Sequence, residues 1–125
     1  MHNHMAMLIR SILFVKDVEV MSSFYQMALD LTVVSRDPGW IVLSDGDAEI
    51  ALHGIPATIA STIIIENPPM PRTETPIKLV FATADLAYTS AAVSKAGGWI
   101  ERSFEDRFDA KDPEGNIFHV ALNTV

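Results

Sequence analysis

His119 is the only titratable group on one face of an otherwise apolar strand. Side chains alternate across a strand, so Ile117, His119 and Ala121 point one way and Phe118, Val120 and Leu122 the other. The second set reads as core, which leaves an imidazole on the opposite, aliphatic surface. Such an imidazole can shuttle a proton or offer a ligand nitrogen. Little else in the chain suggests chemistry. There is no cysteine, hence no thiol nucleophile, thiolate metal site or disulfide framework. No Gly-rich phosphate loop, nucleophile elbow or paired-histidine helix motif occurs. His2 and His4 fall in a loose leader over residues 1–6, read as a flexible tail rather than as metal ligands.

A hairpin positions His119. In Asp112-Pro113-Glu114-Gly115-Asn116, proline presets φ for the second place of a tight turn, and glycine two residues later takes positive φ at little steric cost. Other elements follow from similar signals. Met7–Val15 is a strand, and Asp17 is the N-cap of a helix with an apolar stripe at Met21, Phe24, Tyr25, Ala28 and Leu29. Leu31–Val34, Trp40–Leu43 and Ala48–His53 are strands, the first two separated by a turn at Asp37-Pro38-Gly39. Residues 54–75 are a proline-bracketed linker with one short helix or strand near Ile59–Ile65. Ile77–Thr83 is the next strand. Asp85 caps a helix carrying Thr89, Ala92, Val93 and Ala96, and Gly97-Gly98 stops it. Strands Trp99–Phe104 and Phe108–Lys111 lead into the hairpin.

The order repeats. A separation of 68 positions relates Asp85 to Asp17, Ser90 to Ser22, Ala96 to Ala28, Trp99 to Leu31 and Phe108 to Trp40. Residues 1–125 therefore form one α+β domain of two βαβββ modules, about 7–53 and 76–123, joined by the linker 54–75. One helix covers only one face of four strands. Two such sheets side by side are expected to curve into a half-barrel around a cleft, a common place for small ligands. Phe24, Tyr25 and Trp40 read as core and interface packing, and the charge run from Glu101 to Arg107 as a solvated edge.

A formal charge of −7 argues against a nucleic-acid or anionic-membrane surface, both of which need a basic patch. No apolar run approaches the ~20 residues of a membrane span, and the start lacks the order of a secretory signal. A cytoplasmic location is the expectation.

Val15-x-Asp17 with Phe24-Tyr25 downstream, and Asp112-Pro113-x-Gly115-Asn116 with its following strand, resemble the vicinal oxygen chelate superfamily. That superfamily includes glyoxalase I, extradiol dioxygenases and bleomycin-resistance proteins. The resemblance runs from about residue 8 to 123, and Met21 stands where the superfamily often has serine. It implies four metal-ligand positions, on the first and fourth strands of each module. They hold Arg10, Ala51, Lys78 and His119: two cations, a methyl group and one possible ligand. The usual metal site is therefore missing, because a histidine–carboxylate site needs at least three ligands and cations repel the ion. Glu49 and His53 share a strand face with Ala51, but their Cα atoms are roughly 13 Å apart, too far to chelate one ion as a pair. Either is in a position to join His119 across the cleft if the registers allow it, which keeps a divalent metal as the alternative to no cofactor.

Two readings of these residues stay open. In one, Arg10, Lys78 and His119 form a cationic pocket for a small anion, with Glu49 and His53 beside it. In the other, Arg10 and Lys78 are paired with carboxylates such as Glu49 or Asp109. The function implied by the resemblance is metal-free binding of a small molecule. The alternative is a lyase, isomerase, hydrolase or dioxygenase with His119 as acid–base or as part of a divergent metal site. A homodimer is expected.

Overall fold

The computed structural model describes residues 8–75 and 77–122. The leader with His2 and His4, the strand start at Met7, and the module limits at Pro76 and Asn123 lie outside the described residues. The first module comprises β1 (Arg10–Val15), α1 (Val18–Leu29), β2 (Thr32–Asp37), β3 (Trp40–Ser44) and β4 (Glu49–Gly54). The linker carries α2 (Ala57–Ala60). The second module comprises β5 (Leu79–Thr83), α3 (Leu86–Lys95), β6 (Trp99–Ser103), β7 (Arg107–Lys111) and β8 (Ile117–Leu122). The strand orders are β1-β4-β3-β2 and β5-β8-β7-β6, two open sheets of the half-barrel kind. In each, a parallel pair spans the crossover helix and antiparallel hairpins complete the sheet.

Local chemistry accounts for most boundaries. Asp17 accepts from Val20 N at 3.0 Å and Asp85 from Tyr88 N at 2.9 Å, so each helix begins on a carboxylate cap. Strand β1 begins at Arg10 because β4 begins at its partner Glu49 and offers Leu8 and Ile9 nothing to pair with. Strand β5 likewise starts at Leu79 rather than Ile77, which is exposed. Beyond Val34, β2 runs on to Asp37 because β3 pairs with it as far as Trp40. The linker helix follows Pro56 and ends before Ile63–Ile65, where Ile64 has no surface to pack on.

The repeat is real, but its offset is not constant. Ile12↔Ala51 and Phe14↔His53 in the first module correspond to Val80↔His119 and Ala82↔Ala121 in the second with a shift of 68. In the middle strands the shift is 67. Leu43 pairs with Ile50 as Ala110 pairs with Phe118, and Val33 pairs with Leu43 as Ile100 pairs with Ala110. Phe108 is thus the counterpart of Ile41, not Trp40, and Trp99 that of Thr32, not Leu31. A single-residue error here flips the side chain to the other face: Phe108 and Ile41 are buried, whereas Trp40 lies beside His53 on the open face. The loop Asp112–Asn116 is one residue longer than Asp45–Ala48, which absorbs the difference. Both modules carry a bulge at the corresponding place, between Val33 and Ser35 and between Ile100 and Arg102.

One core passes through both modules. Met21, Phe24, Tyr25 and Ala28 of α1 pack between Ile41, Leu43, Ile50 and Leu52 on one side and Val93, Phe108, Ala110, Phe118 and Val120 on the other. Each large side chain buried here contributes about 1.5–3 kcal/mol. Leu122, expected in the core, is 38% exposed at the end of β8. Helices α1 and α3 pack on each other, and the sheet faces away from them stay open. Among the described residues, no helix is long and apolar enough to cross a membrane.

Candidate functional site

The open face of the first sheet has a charged end and an aromatic end. Cross-strand pairs share a face, so Arg10 and Glu49, Ile12 and Ala51, and Phe14 and His53 lie side by side. Arg10 donates from Nε and Nη2 to Glu49 Oε1 at 3.0 and 2.8 Å. The His53 ring sits 5.3 Å from Phe14 and 5.6 Å from Trp40, centroid to centroid. Ile12, Ala51 and Val42 separate the two ends.

The second sheet places a different group at the corresponding centre. His119 stands between Val80 and Asp109 in register. Its Nδ1 is 2.9 Å from Asp109 Oδ1, and Lys78 Nζ is 3.8 Å from the same oxygen. The carboxylate fixes the imidazole orientation, and Nε2 has no hydrogen-bond partner among the described residues. Nearby, the mostly buried Lys111 lies 3.3 Å from Glu101 and over the Trp99 ring.

The expected site residues therefore fall into two sets. Arg10 and Glu49 are joined to each other, His53 joins the aromatic end, and Lys78 and His119 meet through Asp109. No hydrogen bond or ion pair links the sets among the described residues. Inter-module grooves run along β5. One is lined by Ser11, Leu43, Glu49, Leu79 and Phe81, and the next by Met27, Asp30, Thr83 and Tyr88. Of the expected residues only Glu49 reaches them. Asp109 appeared in the sequence reading only as a charge partner. The hairpin register that sets it opposite His119 was the signal for its closer role.

The Asp112–Asn116 turn, beside this face, clasps the modules together. Glu114 accepts from Lys16 N at 2.8 and 3.0 Å and from Asp17 N at 2.8 Å, at the junction of β1 and α1. Lys16 Nζ itself goes to the Ile63 carbonyl. Asp112 is fully buried and accepts from Tyr25 Oη at 2.8 Å and from Glu114 N and Asn116 N. Burial raises the Asp112 carboxyl to about 6 against the pull of these donors, and raises the Tyr25 phenol well above its ordinary value. Sequence reasoning assigned Tyr25 to packing alone and missed this network.

A glyoxalase-like domain family matches residues 11–121. The chain belongs to that family. Solved glyoxalase-like structures share its fold. A glyoxalase-related enzyme from Fulvimarina pelagi has a TM-score of 0.73 at 19% identity, over 95% of this chain and 89% of that one. A glyoxalase/bleomycin resistance protein/dioxygenase family enzyme from Burkholderia phytofirmans PsJN has a TM-score of 0.72 at 18% identity, over 90% and 95%. The fosfomycin resistance protein FosX from Mesorhizobium loti has a TM-score of 0.71 at 16% identity, over 98% and 96%. No curated protein matches in sequence.

Within this glyoxalase-like fold, the superfamily's metal-ligand positions hold a donor set that does not fit a divalent ion. Arg10 is tied to Glu49, Ala51 has no donor, and Lys78 places an ammonium beside the one imidazole. Asp109 adds a second donor to His119, but among the described residues no three metal-ligating side chains converge.

Proposed function

We propose that this glyoxalase-like protein binds a small anionic molecule on the open face of the second module, with Lys78 and His119 as its contacts and without the superfamily's metal. The observation that carries this reading is the Asp109–His119 contact at 2.9 Å with Lys78 alongside. It leaves the ammonium as a donor and Nε2 without a partner on the open face, where Nε2 donates to an anion in the protonated imidazole. Arg10, Glu49 and His53 belong to the opposite wall, which a second copy of the chain supplies in a two-fold homodimer. Support for the dimer comes from Ile12, Phe14 and Val80, large apolar residues left exposed on the open faces.

The same contact favours a second reading. A carboxylate-oriented imidazole with a free Nε2 is the arrangement of a general acid–base, so His119 performs proton transfer on the bound anion in a lyase, isomerase or hydrolase reaction.

Thermal unfolding with and without additives tests the binding reading. Acetate or phosphate at a hundredfold excess over its dissociation constant raises stability by about 2.7 kcal/mol, while stoichiometric zinc, nickel or iron does not. Lys78→Ala abolishes the anion effect. A crystal with a metal held by His119 and two further protein ligands overturns this reading.

A further inference from the structure

Arg102 differs from the other four arginines. Arg10 bonds to Glu49, Arg36 to Glu19, Arg72 to Asn116 and Arg107 to Asp106. Among the described residues, Arg102 alone forms no hydrogen bond or ion pair. Its place makes this informative. The bulge in β6 sets Arg102 opposite Asp109, which is itself opposite His119, so the three side chains share the open face of the second sheet. The guanidinium lies 5.3 Å from the centre of the Phe104 ring, and that of Arg107 lies 4.2 Å from the same ring. Stacking on an aromatic ring holds a guanidinium in place while leaving its N–H edge free for an oxyanion.

We infer that Arg102 receives a second anionic group, and that the ligand is a small dianion whose first anionic group meets Lys78 and His119. This rests on the anion reading above and narrows it. Two strand spacings, about 9–10 Å, separate the Cα atoms of Arg102 and His119. That favours two anionic groups several bonds apart over a compact ion. It also assigns a role to the local charge: Lys78 and Arg102 flank Asp109, so the strip remains net positive in a protein of formal charge −7.

Calorimetric titration of the full chain with hexanoate, malonate, adipate and 4-phosphonobutyrate tests the assignment. Adipate or 4-phosphonobutyrate binds about three- to tenfold more tightly than hexanoate, the gain expected of an exposed charge-assisted pair, and more tightly than malonate. The stronger of the two long dianions identifies the second group as carboxylate or phosphonate. In Arg102→Gln, checked for an unchanged unfolding midpoint, this gain disappears while hexanoate affinity stays. Arg102→Lys retains part of it. Equal binding of adipate and hexanoate, or an undiminished gain in Arg102→Gln, overturns the role of Arg102 and leaves the anion reading standing. Binding of none of the four, or binding untouched by Lys78→Ala, overturns both.

Discussion

Tyr25 Oη donates to Asp112 Oδ2 at 2.8 Å, joining the helix of the first module to the turn of the second inside the common core. Neither group reaches water, so Tyr25 Oη relies on Asp112 for its hydrogen bond, and Oδ2 without Tyr25 keeps only Asn116 Nδ2. Tyr25→Phe removes the donor with little change of shape. The expected cost is about 1–3 kcal/mol, the range for leaving a buried acceptor short of a partner, read from urea unfolding. An unchanged midpoint means that this bond does not hold the modules together.

The same carboxylate gives stability a pH dependence. Asp112 sits near 6 when folded and near its ordinary 3.8 when unfolded. The folded state thus holds the extra proton between these values. The resulting stabilisation is fully present below about pH 3.8 and is lost as pH rises through about 6. The slope in that window is at most about 1.4 kcal/mol per pH unit. Asp112→Asn cannot titrate, so the wild-type advantage over this variant shrinks from pH 4 to 6.5. A difference that stays constant across that range is the contrary result.

Two glycines with positive φ separate backbone strain from crowding. Gly46 has φ of 107° and open space around an added Cβ, whereas Gly115 has φ of 89° and an added Cβ would lie 2.2 Å from the Met70 carbonyl oxygen. Gly46→Ala is expected to cost about 1 kcal/mol. Gly115→Ala costs at least ~2 kcal/mol more, because the linker must move off the turn and the bond from Arg72 N to Gly115 O goes with it. Gly115→Val is worse again. Equal midpoints for the two alanine variants mean that the linker is not held by this contact.

Light scattering at micromolar concentration is expected to give twice the 13.7 kDa chain mass. Replacing Phe14, 55% exposed on the first open face, by aspartate shifts the mass toward one chain. A single-chain mass independent of dilution in the wild type removes the homodimer from the reading.

The elements of this protein were legible because they are local. Asp17 and Asp85 cap the next turn of their own helices, Gly115 answers to its own φ, and the alternation from Ile117 to Val120 needs only the period of a strand. The order of the two modules follows from those signals. Their one-residue drift does not. It depends on pairing and loop length, so a constant shift matched Phe108 to Trp40 instead of Ile41 while matching His119 to Ala51 correctly. Charge partners were less legible still. The sequence named Glu49 and Asp109 as acids able to pair with Arg10 and Lys78, but only the folded sheets put them within reach. The clasp formed by Tyr25, Asp112 and Glu114 left no mark in composition or spacing, because its bonds join residues 87 to 98 positions apart. Contacts at such separations cost too much chain entropy to form alone, and they exist only once hydrophobic burial has brought the two modules together.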